Sequence, residues 1–181
     1  MRIALDIDGT LADTMSAWIR HYNERFGESI SGEQAKVWSF WRELGISREE
    51  YVSIFSEAWS KWKEVSPIES NVGAKVNRLR RLGEVDIVTG RTSDTIDYVK
   101  NWLDYHRISY NKFVSVNSMR EKVKLGYNVF IDDSPEVADE ASKSGLPAML
   151  FDRLWNKHVT ENAFIKRVKE IEDAIREIGR L

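Results

Sequence analysis

The sequence predicts an α/β fold, a parallel sheet covered by helices on both faces, with a small helical insertion after the first strand. Three observations predict it. Short apolar, β-branched runs recur at residues 3–7, 85–88, 113–116, 129–131 and 148–151. Each is too short for a helix, and most lie near turn residues. Helical patterns fill the intervals between the later runs, the alternation expected of a parallel sheet. The first interval, from Ile7 to Val85, holds far more chain than one crossover helix needs.

Length and composition agree with this reading. At 181 residues the chain suits one domain, or one domain carrying an insertion, and can bury a real core. An apolar fraction of 42% and a charged fraction of 31% describe a globular rather than a disordered protein. The formal net charge of −2 gives no general drive toward nucleic-acid polymers or anionic membranes. With no cysteine, disulfides, thiolate nucleophiles and cysteine zinc sites are excluded. No apolar run reaches the length of a membrane span, and acids interrupt the N-terminal run almost at once. The expected location is the cytoplasm.

The elements follow in order. The first run leads into Asp6 and Asp8. Residues 15–70 then hold half of the chain's aromatics. Trp18, Tyr22 and Phe26 are spaced by four and share a helix face, as do Tyr51, Phe55 and Trp59. This stretch reads as a helical cap, with Pro67 marking the return to the core. The core is then residues 1–14 and 71–181, and the cap 15–70. A helix over 71–82 carries Val72, Val76 and Leu79 and stops at Gly83. A second, over 95–105, carries Ile96, Val99, Trp102 and Leu103. A third runs over 119–125 to Gly126, and a fourth opens on Pro135 and runs to Gly145. The last, from about residue 160, carries Phe164, Ile165, Val168, Ile171, Ile175 and Ile178 at helical spacing.

In open parallel sheets, ligands sit beyond the carboxyl ends of the strands. Asp6 and Asp8 lie at one such end and, in extended chain, face the same way. Thr89 and Gly90 follow the second run, and Asp132 and Asp133 the fourth. Four acids gathered in one place repel one another, and a hard divalent cation such as Mg²⁺ resolves this, often with substrate phosphate. A basic residue should help hold the phosphate, and Lys122 and Lys124 precede the Asp132 run. Asp-Gly and Asp-Asp-Ser-Pro also serve as turn and cap sequences. One alone could be structural; all of them in this order, each after a strand, argue for a site.

"DIDGT", "IVTGR", Lys122 and "VFIDDSPEV" together resemble the motifs of the haloacid dehalogenase (HAD) superfamily of phosphohydrolases. Lys122 stands ten positions before Asp132, and "AMLFDRLWNKHV" brings Phe151, Asp152, Trp155 and Asn156. These are similar to the cytosolic type of 5′-(deoxyribo)nucleotidases, in which the spacing selects Lys122 over Lys124. The resemblance implies a Rossmann-like core and a Mg²⁺-dependent phosphatase acting through an aspartyl-phosphate. It implies Asp6 as nucleophile and metal ligand, and Asp8 as acid and base and, through its main-chain carbonyl, metal ligand. It implies Asp132 as metal ligand, with Asp133 orienting groups around the metal. Thr89, the Gly90 amide and Lys122 would bind phosphate. The implied substrate is a small phosphorylated metabolite, first a pyrimidine or deoxyribonucleoside 5′-monophosphate. Rivals are a phosphoglycolate or sugar-phosphate phosphatase, a phosphomutase of the same superfamily, and a silent binding protein on this core. The last is disfavoured because Asp6, Asp8, Thr89, Lys122 and Asp132 are all present.

Other residues carry less. Arg91 could reach substrate or face solvent. Most cap aromatics should be packing, and Trp18 and Tyr22, soonest after the first motif, are the ones expected to line the pocket. His21, His106 and His158 show no metal-ligand spacing. Oligomeric state leaves no mark in the sequence.

Overall fold

β1 (Arg2–Leu5) runs through the middle of a six-stranded sheet, and its neighbours bring the later motifs beside it. The computed structural model describes residues 1–181. The strands are β2 (Glu84–Thr89), β3 (Phe113–Ser115), β4 (Val129–Asp132), β5 (Ala148–Phe151) and β6 (Ile165–Val168). They pair in parallel in the order β3-β2-β1-β4-β5-β6. Leu5 stands opposite Ile87 on one side and Ile131 on the other. Asp6, Thr89 and Asp132 therefore emerge from adjacent strand ends.

Side chains alternate between the two faces of the sheet. Ile3, Leu5, Ile87 and Ile131 meet α3 (Val72–Leu79), α4 (Ile96–Tyr105) and α7 (Ile171–Ile178) in one core cluster. Ala4, Val88, Phe130 and Leu150 meet α5 (Met119–Val123) and α6 (Pro135–Lys143) in the other. Burial on both faces accounts for the unbroken apolar character of these strands.

Between β1 and β2 stand α1 (Thr14–Phe26) and α2 (Arg48–Ser60). Asp13 caps α1 by accepting from the Ser16 N–H, and Ser47 and Glu50 form a capping box at α2. The helices meet through Trp18, Tyr22, Ile54 and Phe55, closed on one side by Phe40. The C-terminal turn of α2 leaves that cluster. Ala58 and Trp59 pack into the sheet's own core, with Trp59 edge-on to Trp102.

The expected helix from about residue 160 is a correction. β6 occupies Ile165–Val168, and α7 begins only at Ile171. The spacing Ile165, Val168, Ile171 matches a helix face, yet it crosses a strand, a turn and a helix start. The break sits at Lys169 and Glu170, whose N–H groups both donate to Asp173 Oδ2, at 2.9 and 3.3 Å. The first strand also ends earlier than its apolar run, because Thr10, Leu11 and Ala12 all turn back to the Ile7 carbonyl.

Candidate active site

The centre of the site is a buried lysine between two buried carboxylates. Lys122 Nζ donates to Asp6 Oδ1 at 2.6 Å and to Asp132 Oδ2 at 2.7 Å. Lys122 is 1% exposed and the two acids 5% each. α5 delivers Lys122, capped at Ser118, whose Oγ accepts from the Glu121 N–H. Asp6 is fixed from the other side by its own N–H, which donates to the Ile131 carbonyl at 2.9 Å. Asp132 Oδ1 accepts from the Ser134 N–H at 2.9 Å, at the mouth of α6.

Negative charge exceeds positive here. Burial, reinforced by Asp132 and Asp8 and opposed by Lys122, pushes the Asp6 carboxyl up to about 7. Asp133 is raised well above the ordinary carboxylate range, by burial first and then by Asp6 and Asp132. Burial alone would lower Lys122, but Asp132 and Asp6 reverse that and hold it above its usual value. Carboxylate oxygens of Asp6, Asp132 and Asp133 lie within 4.8 Å of one another. An all-oxygen, buried donor set with surplus negative charge fits a hard divalent cation.

Neutral donors orient the other two acids. Trp155 Nε1 donates to Asp133 Oδ2, and Trp59 Nε1 to Asp8 Oδ1, both at 3.1 Å. Asn156 Nδ2 donates to the Asp133 carbonyl at 2.8 Å and the Phe151 carbonyl at 2.7 Å. Gly9 has φ +73°, and a Cβ there would overlap the Asp133 carboxylate, so only glycine lets this turn close against it. Arg153 Nε donates to the Gly9 carbonyl at 2.7 Å and braces the same turn.

The structure thus brings Asp6, Asp8, Lys122, Asp132 and Asp133 to one place, with Thr89 and Gly90 at the adjoining end of β2. Thr89 is fully buried, and its Oγ1 accepts from the Arg91 N–H at 3.2 Å. Arg91 turns to the site, with Nε 3.0 Å from Asp8 Oδ2. Trp18 and Tyr22 are placed otherwise than expected. Trp18 is fully buried, and its Nε1 donates to the Tyr51 carbonyl at 3.0 Å. Tyr22 stacks on Trp18 with centroids 5.2 Å apart. Both are interior to the cluster between α1 and α2, a small core held by its largest side chains. The aromatic of residues 15–70 that reaches an acid is Trp59, on α2. Its only sequence signal is the shared face with Phe55, four residues earlier.

A family model described as "5' nucleotidase, deoxy (Pyrimidine), cytosolic type C protein" matches residues 1–180. A nucleotidase of Clostridium acetobutylicum is 26% identical over 161 residues, covering 87% of this chain and 83% of that protein. A Chlorobaculum tepidum protein, provisionally named a 5′(3′)-deoxyribonucleotidase, is 28% identical over 170 residues, covering 88% and 82%. Among solved structures, a haloacid dehalogenase-like hydrolase of Streptococcus pneumoniae superposes with a TM-score of 0.68. It is 14% identical, over 97% of each chain, and so speaks for the fold alone. With acids, threonine and lysine gathered at the strand ends and a family match over residues 1–180, the chain belongs to the cytosolic type C 5′-nucleotidase family, phosphoric monoester hydrolases, on a haloacid dehalogenase-like fold.

Proposed function

We propose that this enzyme is a Mg²⁺-dependent, cytoplasmic phosphatase that hydrolyses a pyrimidine deoxyribonucleoside 5′-monophosphate through a phosphoryl group carried on Asp6. The observation that carries the chemistry is the buried Asp6–Lys122–Asp132 bridge with Asp8 beside it. The family description and the relatives' names support the substrate class.

The thirteen-residue helices of the cap and the strand ends divide the work. Thr89, the Gly90 N–H and Lys122 bind the phosphate oxygens and set phosphorus in line with Asp6. The Asp6 oxygen–phosphorus bond forms as the bond to the ester oxygen breaks. A proton on Asp8 passes to the departing oxygen and leaves Asp8 a carboxylate. In the second half, Asp8 takes a proton from water as that water attacks phosphorus. The bond to Asp6 breaks, inorganic phosphate departs, and both acids regain their starting states. Asp6, Asp132 and the Asp8 carbonyl would hold a Mg²⁺ ion, with Asp133 orienting the groups around it, and the bound ion would supply positive charge that lets one anion approach another. Residues 15–70 are proposed as the cap that decides which leaving group is accepted.

Two measurements test this. Asp6→Asn should abolish phosphate release while circular dichroism stays that of the wild type. Retained turnover would remove Asp6 as nucleophile. A phosphate-release screen over nucleotides, sugar phosphates and phosphoglycolate should rank pyrimidine deoxyribonucleotides first. A sugar phosphate in first place would overturn the substrate class and leave the chemistry standing.

A further inference from the structure

The two oxygens of Asp8 meet different partners, and both partners lead to one face of α2. Trp59 Nε1 donates to Oδ1 at 3.1 Å. The indole is fully buried and wedged edge-on against Trp102 of α4, with centroids 6.1 Å apart, so it has little freedom to turn away. Arg91 Nε lies 3.0 Å from Oδ2. That contact is ionic rather than directed, because the buried Arg91 Nε makes no hydrogen bond in this geometry. The guanidinium carbon rests 4.6 Å over the Phe55 ring. Phe55 and Trp59 are one turn apart on α2.

These contacts differ in how they respond to a proton on Asp8. An indole N–H is a neutral donor, and the carbonyl oxygen of a neutral acid still accepts from it, though more weakly than a carboxylate oxygen does. The Arg91 contact depends on charge and weakens once the carboxyl is neutral. Oδ1 therefore stays with Trp59 through the cycle, and Oδ2 is the oxygen that gains and loses the proton.

We propose that Trp59 is the positioning residue of Asp8: its indole N–H holds Oδ1, so that Oδ2 presents the proton to the leaving oxygen. Arg91, resting on Phe55, balances Oδ2 while it is charged. Because Phe55 and Trp59 belong to α2, the acid is aligned only while this helix sits on the core. Protonation of the leaving group is thereby tied to seating of the cap. The inference rests on the reading of Asp8 as acid and base given above.

The test uses leaving groups that need a proton to different degrees. An alkoxide leaving group requires the acid; 4-nitrophenolate departs without it. The parameter is kcat/KM, which reports only steps through the first irreversible one, here transfer to Asp6, and so omits Asp8's later work on water. Deoxyuridine 5′-monophosphate serves as alkyl ester, or glycerol 2-phosphate should the wild type refuse the nucleotide. Trp59→Phe keeps the ring against Trp102 and deletes the donor. Its kcat/KM on the alkyl ester should fall about tenfold or more, up to the 10²–10⁴-fold that the general acid itself contributes, and on 4-nitrophenyl phosphate less than about threefold. Equal losses on both esters, or none, would overturn the proposal.

Asp8→Asn is the reference. If it shows the leaving-group split and Trp59→Phe does not, the positioning role alone fails. If Asp8→Asn shows no split, the reading of Asp8 as acid fails. Should Trp59→Phe not fold, the Trp59 indole N–H resonance is followed in the wild type and in Asp8→Ala. Its position should change when the carboxylate is removed, and an unmoved resonance overturns the contact.

Discussion

Replacing the nucleophile should make the metal-free protein more stable. Asp6 is buried beside Asp132 and Asp8, and the environment pushes its carboxyl from 3.8 to about 7, with burial the largest cause and Lys122 opposing. The folded protein then holds this proton more tightly than the unfolded chain. Between about pH 4 and 7, unfolding releases it, so stability falls as pH rises through that window. At 1.36 kcal/mol per pK unit, the full effect above pH 7 is about 4 kcal/mol. Asp6→Asn resembles the neutral acid in shape and carries no such penalty. Urea unfolding in EDTA should find mutant and wild type alike near pH 4 and the mutant ahead by about 4 kcal/mol at pH 8. At about 2–4 °C per kcal/mol for a chain of this size, its thermal midpoint should rise by about 10 °C. Saturating Mg²⁺ should narrow the gap by binding the folded wild type. A mutant less stable than the wild type at pH 8, or a gap that ignores pH, would refute the reasoning.

Three other substitutions address the same scaffold. Lys122→Met leaves Asp6 and Asp132 buried without their shared cation and should cost about 3–5 kcal/mol in EDTA at pH 7.5 by urea unfolding; a loss under about 1 kcal/mol would count against the bridge. Gly9→Ala forces a side chain into a left-handed turn, about 1–2 kcal/mol of strain, and onto the Asp133 carboxylate. Its kcat should fall about tenfold or more by phosphate release, and unchanged turnover would contradict the close packing. Asn156→Ala removes a fully buried side chain and strips the buried Asp133 and Phe151 carbonyls of a donor; it should lower stability by about 3 kcal/mol in the same unfolding assay, and an unaffected midpoint would exclude that role.

Much of this site could be read from the sequence because strand ends announce themselves. An apolar run that stops at Asp6, Thr89 or Asp132 fixes both the strand and the place where its side chain emerges. Parallel register then does the rest, setting Leu5 against Ile87 and Ile131. Side chains that reach the site from elsewhere left no such mark. Trp18 and Trp59 both sit on aromatic helix faces, and periodicity cannot tell a ring whose N–H caps the Tyr51 carbonyl from one whose N–H reaches Asp8. β6 was hidden for a related reason. Ile165 and Val168 keep helical spacing with Ile171, and only the side-chain turn made by Asp173 separates strand from helix.

The hidden strand matters to the chemistry. β6 carries Arg167, whose Nη1 donates to Asp152 Oδ1 and Asn156 Oδ1, both at 2.8 Å, and whose Nη2 donates to the Asn156 and Val159 carbonyls at 3.1 and 2.7 Å. Arg167 thus locks Asn156, and Asn156 grips the Asp133 backbone. The charged partners of this network stop there. At the acids themselves the division is different: one buried lysine serves Asp6 and Asp132, while Asp8 and Asp133 each receive an indole N–H at 3.1 Å. A buried cation in place of either indole would orient its carboxylate equally well, but would cancel charge that a divalent ion needs. A neutral ring N–H fixes direction without spending charge. Two tryptophans, one from α2 and one from the loop after β5, therefore fix Asp8 and Asp133 in direction, while Lys122 bridges Asp6 and Asp132 and Arg91 stands beside Asp8 alone.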